Sequence, residues 1–298
     1  MVRDLPPNAL GALYMALGSL AAVVNDGLVR VATEDGLDVY QALFLRGCGM
    51  VVIFVAAGRV RGQRLDRQFL TPPLLLRVAA EVVVAAAFFA AVVKIDFANA
   101  YTILMAAPLA VTVIAARRGE HVTRSQYLLV ATGFAGVVAV VRPTPDRFSP
   151  WALLVIAAAA ALVVREFATQ QVEASTPPLA VALLTAVAIT AMAGTISVVT
   201  GWGALTPRAV VVLVVACVFL AVGYLFVIET VRVGDLSVSA PLRYTAVVGA
   251  VAVGFAFFHE TPDALTIIGC TLIVLAGVVT ARTDALATKR ALSRATLR

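Results

Sequence analysis

Ten apolar stretches, each long enough to cross a bilayer, occupy nearly all of this 298-residue chain and constrain its fold more than any motif does. They cover residues 8–31, 39–58, 73–93, 97–116, 125–141, 151–170, 178–199, 209–229, 236–257 and 264–281. Each holds about 17–24 residues, which at about 1.5 Å per residue covers a hydrocarbon core of roughly 30 Å. Continuous runs of this length predict helices, because a membrane barrel needs short strands of alternating character. Charged residues are 13% of the chain, against about 25% in soluble domains. Soluble folds are thereby excluded. The first stretch is too long for a signal-peptide core and lacks a small-residue cleavage site, so it reads as a retained helix.

The net charge of +6 does not form a nucleic-acid patch, since Arg and Lys gather in short connectors. One set of connectors carries Arg59, Arg61, Arg64 and Arg67, then Arg117, Arg118 and Arg124, with Lys289, Arg290, Arg294 and Arg298 in the tail. The opposite set has only Lys94, Arg142, Arg147 and Arg208, and the acidic run Thr33-Glu34-Asp35-Gly36-Leu37-Asp38 lies among them. By the positive-inside rule both termini are expected in the cytoplasm.

An offset of 140 residues relates the two halves. It brings Asn25-Asp26 onto Arg165-Glu166, Ala100 onto Ala240, Gly119-Glu120 onto His259-Glu260, and Arg142 onto Arg282. The expected organisation is a five-helix repeat over 1–142, a connector over 143–150, a second repeat over 151–282 and a basic tail over 283–298. Five is odd, so the second repeat enters the membrane from the opposite side. The fold class is an all-α membrane protein of ten transmembrane helices in two inverted repeats.

Several of these residues carry a family resemblance: Leu45-Arg46, Ala100 through Pro108-Leu109 to Gly119-Glu120, and Ala240-Pro241-Leu242-Arg243-Tyr244 leading to Glu260, with Gly269 and Gly277 in the last helix. The pattern resembles the drug/metabolite transporter superfamily in its ten-helix EamA-type branch, over almost the whole chain. The second copy departs from it, with His259 where Gly is usual. The resemblance implies a secondary carrier in a bacterial inner membrane, with a central cavity lined by both halves and a small organic solute of amino-acid, vitamin, cofactor or drug type. The segments Tyr14-Met15-Ala16-Leu17 and Asn25-Asp26-Gly27-Leu28-Val29-Arg30 are similar to a sub-branch that includes riboflavin and S-adenosylmethionine carriers.

Charges inside spans are expensive and so mark candidate sites. Asp26 and Arg30 share a helix face, and Arg46 enters the second span from the same side, so Asp26 is expected to pair with Arg30 or Arg46. This is either a packing ion pair or an outer gate that contacts the solute. Arg77 and Glu81 repeat the spacing in the third span, and a fixed bridge between them is expected. Proton uptake at Glu81 or Asp26 is the alternative. Arg165, Glu166, Glu229 and Arg243 occupy mirrored depths and form the expected inner gate. Pro108 and Pro241 break their helices, and Asn99, Tyr101, Tyr224, Phe226 and Tyr244 beside them are candidate cavity residues. Asn99 and Gln170 need hydrogen-bond partners, and Ala12 with Ala16 and Ala157 with Ala161 offer small faces for close packing.

His121 and His259 lack ligand-spaced neighbours, and Cys48, Cys217 and Cys270 read as packing residues, so no metal or cofactor is expected. No phosphate-cradling loop is present, so this chain itself does not use ATP. An intramembrane enzyme using Asp26, Glu81 and Glu166 on a lipid-linked substrate is one competing reading, and no pair of acids has the spacing to fix it. A channel is another, disfavoured because the charges are mixed in sign and split between two mouths. The expected partners are the bilayer and a small solute, with protons as the coupling alternative and no nucleic acid.

Overall fold

The computed structural model describes residues 6–61, 69–118, 124–142, 149–173, 175–233 and 239–279. The Gly119-Glu120 pair, His121, Ser237, Arg282 and the basic tail lie outside these residues. Helices α1 (Pro7–Glu34), α2 (Val39–Val60) and α3 (Pro72–Val92) form the first three spans. The fourth is split into α4 (Phe97–Leu104) and α5 (Ala107–Arg117), and α6 (Arg124–Val141) completes the first half. The second half has α7 (Trp151–Gln170), α8 (Pro178–Thr200) and α9 (Pro207–Val233). A 3-10 turn over Ala240–Tyr244 leads into α10 (Thr245–Phe258), and α11 (Ala264–Val279) is last.

Local chemistry sets several of these boundaries. Pro stands in the first turn of α1, α3 and α8, where its missing N–H is no loss. Asp38 caps α2, accepting from the N–H of Tyr40 at 2.9 Å and of Gln41 at 3.3 Å, a cap worth about 1 kcal/mol. His259 ends α10 at φ 54°, the left-handed conformation that Gly occupies without penalty. A non-Gly residue holds this conformation at a cost of about 1–2 kcal/mol.

Both expected proline breaks appear, in different forms. In the fourth span the helix stops at Leu104, turns through Met105-Ala106 and restarts, so Pro108 sits in the first turn of α5 rather than mid-helix. Pro108 has no N–H to return to the Leu104 carbonyl, which explains why the break falls there. Pro241 opens the 3-10 turn that begins the ninth span.

The halves pack on each other far more than within themselves. The most extensive contacts are α1 on α9, α3 on α7, and α2 on α8. Exchanging the halves turns the first of these into the second and the third into itself. It likewise turns α1 on α10 into α7 on α4 and α5, contacts that are also present. This is the contact pattern of a twofold axis between two five-span repeats, which odd span number makes inverted. Glycine permits the closest crossings. A Cβ on Gly18 would lie 3.2 Å from the Gly223 carbonyl, and one on Gly136 would lie 2.7 Å from the Gly269 carbonyl. The small face expected from Ala157 with Ala161 does not do this work. Ala157 is exposed, and α7 buries Ala152, Val155, Ala158 and Leu162 instead.

The end of the bundle holding Asp26 is well packed. There Val29, Leu43, Phe88, Phe97, Val247 and Ala250 form part of one large buried cluster. Hydrogen bonds tie the halves at the same end. Gln41 and the Gly203 backbone exchange two, at 3.1 and 2.8 Å, and Thr200 donates to Asp38 at 2.9 Å.

Candidate functional site

A cavity of about 570 Å³ lies between the halves, walled by spans one to four and six to nine. That volume falls within the usual range for small-molecule sites. Its wall carries Asp26 and Arg46 toward one end, and Arg77, Glu81, Arg165, Glu166 and Arg243 toward the other. Apolar side chains such as Met50, Phe88, Phe89 and Met105 lie between them.

At the first end, Asp26 accepts from Asn25 Nδ2 at 2.7 Å and from the Tyr101 hydroxyl at 2.6 Å. Arg46 is its ion partner, with Nη1 at 3.6 Å, beyond hydrogen-bond length. The guanidinium of Arg46 lies 5.2 Å from the Phe89 ring centroid, a cation–π contact. Arg46 is only 7% exposed, and its Nε is buried with no acceptor.

At the other end Arg165 is the hub. Its Nη1 donates to Glu81 at 3.1 Å and its Nη2 to Glu166 at 2.8 Å, while Arg243 donates to the same Glu166 oxygen at 3.1 Å. One network therefore joins spans three, six and nine. The expected Arg77–Glu81 bridge is present at 4.0 Å, the outer limit of an ion pair, and a shorter one to Arg165 joins it. Close packing of α3 on α7 brings Arg165 nearer to Glu81 than Arg77, which stands 4.0 Å away and donates to Thr185 Oγ1 at 3.1 Å. Glu229 takes no part in the network, pairing with the exposed Arg232 at 3.0 Å.

Other candidates fall outside the cavity wall. Arg30 does not reach Asp26. It pairs with Glu260 at 2.7 Å, donates to the Ile95 carbonyl at 3.2 Å, and stacks 4.1 Å from the Phe258 ring. Glu260 also accepts from the Phe97 N–H at 2.7 Å, so spans one, four and nine are tied beyond the cavity. Burial pushes the Glu260 carboxyl above its ordinary range, with Arg30 and the Phe97 N–H acting in the opposite sense. Asn99 lies on the same rim, donating to Asp96 at 3.2 Å and meeting Thr266 at 3.3 Å. Next to it Arg142 is paired with Asp263, and that bond with the Thr266 N–H holds the Asp263 carboxyl down at about 2. Tyr101 positions Asp26 from behind. Tyr244 is buried with its ring over Gly277, where any Cβ would clash. Tyr224 does line the cavity and meets Phe54 edge-on at 5.3 Å. Sequence reasoning missed Thr185 in the wall and Gln41 at the closed end. Gln41 had a readable signal, an amide in an apolar helix that requires a partner.

The model of the EamA-like transporter family matches residues 9–142 and again 149–282. The chain belongs to this family. The two matches are 140 residues apart at both ends, the offset that places Asp26 on Glu166. Among curated proteins, the chain is 28% identical over 293 residues to the pseudopaline exporter CntI of Pseudomonas aeruginosa, in strains UCBPP-PA14 and PAO1. The alignment covers 95% of this chain and 99% of the exporter. A solved crystal structure aligns over 91% of this chain and 98% of its own length, with a TM-score of 0.64 at 17% identity, which shows a shared fold. This EamA-family member is a multi-pass membrane transporter.

Proposed function

We propose that the protein is a secondary carrier that moves a small organic metabolite across the bacterial inner membrane by alternating access. The observation that carries this reading is the 570 Å³ cavity on the twofold axis, with a charged network toward each end. Asp26 and Glu166 stand at equivalent positions of the two repeats. Each is engaged from the start of the equivalent span, Asp26 by Tyr101 and Glu166 by Arg243. Two similar mouths around one chamber are what exchange between outward-open and inward-open shapes requires.

In this reading the Asp26 end is the more closed one. Side-chain exposure rises from 8% at Arg46 to 39% at Arg243, so water reaches the chamber more freely at the Arg165 end. With both termini in the cytoplasm, as the Arg and Lys distribution supports, that end faces inward. The similarity to a pseudopaline exporter supports efflux as the direction and makes pseudopaline a first solute to try.

The test is counterflow in proteoliposomes. Labelled solutes of amino-acid, vitamin and nucleoside type, and pseudopaline, are offered with and without unlabelled solute inside. Saturable uptake that rises with trans solute is expected. Non-saturating flux would identify a channel, and chemical conversion without flux an enzyme. A pH gradient in the same assay reads whether Asp26 or Glu81 carries a proton.

A further inference from the structure

Cavity charges that break the repeat are the candidates for gripping a solute. Two mouths opening in turn do the same mechanical work, so their parts recur at equivalent positions. A solute bound once between them lacks twofold symmetry, so groups that grip it should break the repeat. Asp26 and Glu166 obey the repeat. Five charged cavity residues break it: Arg46 is matched by Ala186, Arg77 by Cys217, Glu81 by Ala221, Arg165 by Asn25 and Arg243 by Ile103. Arg165 bonds Glu81 and Glu166 through its two Nη atoms, with its own Nε unpartnered, Arg243 bonds Glu166, and Arg77 donates to Thr185.

Among these four arginines Arg46 is the one whose guanidinium makes no hydrogen bond. Asp26 takes two hydrogen bonds from elsewhere, and its 3.6 Å separation from Arg46 Nη1 gives charge balance without a bond. A guanidinium has five N–H donors in a planar fork, and a donor left unmet in a buried site carries a free-energy cost. Here the Nε is buried without an acceptor on a residue 7% exposed in the chamber wall. The wall as a whole has four arginines, Arg46, Arg77, Arg165 and Arg243, against the carboxylates of Asp26, Glu81 and Glu166. One positive charge is unmatched.

Resting on the carrier reading above, we propose that Arg46 is the recognition point for a carboxylate, and that the solute is an amphipathic organic acid whose apolar part lies along Phe89, Phe88 and Met50. A planar carboxylate accepts two parallel bonds from an arginine fork. A single anionic group balances the surplus charge, whereas a phosphate of charge near −2 would exceed it. The aromatic and methionine wall next to Arg46 suits an apolar body rather than a second charged group.

The purified full-length protein is titrated in detergent with hippurate, phenylpyruvate, 4-phenylbutyrate and inorganic phosphate, and with hippuramide and 4-phenylbutyramide. Melting temperature reports binding. The acids should raise it and the amides should not. Arg46→Gln should bind acid and amide alike, with acid affinity lowered roughly 10- to 100-fold. Arg46→Lys, which keeps the charge without the fork, reads the same preference if the first variant does not fold. No response to any acid, equal responses to acids and amides, a larger response to phosphate, or an undiminished acid preference in both variants overturns the assignment. The same solutes are then run in counterflow. Acid binding without counterflow leaves Arg46 as a carboxylate site and removes the carrier reading. Counterflow without acid preference does the reverse.

Discussion

Replacing Arg165 with Gln, alone and with Glu81→Gln, tests whether the inner network is one cooperative unit. Arg165 makes charge-assisted bonds to Glu81 at 3.1 Å and Glu166 at 2.8 Å, with its side chain 22% exposed. Removing one partner of a fully buried pair costs about 3–5 kcal/mol. Access of water to the chamber lowers this, so each single substitution should cost about 2–3 kcal/mol. The two losses overlap. Once Glu81 is neutral, Arg165→Gln no longer strands a carboxylate that has only Arg77 at 4.0 Å. The double variant should therefore be more stable than the sum of the singles by about 1–2 kcal/mol. Unfolding free energy measured by denaturant titration in mixed micelles gives the four corners of the cycle. Additivity within about 0.5 kcal/mol would mean that the pair contributes no coupling, and the gate argument at this end would fall. Transport should fall alongside stability, because the same bonds must break and reform as the mouth opens.

Other outcomes follow from single contacts. His259→Gly relieves a left-handed backbone at φ 54° and should stabilise the protein by about 1 kcal/mol, read as a rise in melting temperature. Gly269→Leu drives a side chain into the Gly136 carbonyl, which an added Cβ would already approach to 2.7 Å; loss of monodisperse protein on size-exclusion chromatography is expected. Pro108→Ala returns an N–H to the Leu104 carbonyl; it should leave folding intact and slow counterflow by stiffening the break between α4 and α5. For Asp263, Arg142 and the Thr266 N–H depress the folded-state pKa to about 2, so the contribution is present above the ordinary carboxylate range and is lost as pH falls through about 2. Asp263→Asn should remove that part of the acid dependence in melts between about pH 2 and 5.

The spans were legible because helix formation in lipid depends on nothing beyond the local run of apolar residues. Lipid offers no hydrogen bonds, so a stretch of some 20 apolar residues has one way to satisfy its backbone. The break near Pro108 was readable for the same local reason, and its displacement to Met105-Ala106 follows from which carbonyl the proline leaves unpaired. The repeat was legible as well, since an offset that matches Asp26 to Glu166 needs no coordinates. Asn99 and Tyr244 were placed in the cavity because they neighbour helix breaks, and proximity along the chain says nothing about which side of a helix faces a partner.

What the chain alone determined is thus a bundle of ten membrane helices, a repeat that reverses direction, and the depth of each buried charge. Only the packed structure decided which charges meet. Asp26 had two candidate arginines, and Glu260 arriving from the end of α10 took Arg30, leaving Arg46. Glu81 had an arginine one turn away, yet the approach of α7 supplied a nearer one. Ion pairs are settled by ångström-scale distances between helices. How closely helices of opposite halves approach depends on meetings such as that of Gly18 with Gly223, a relation that no local pattern contains.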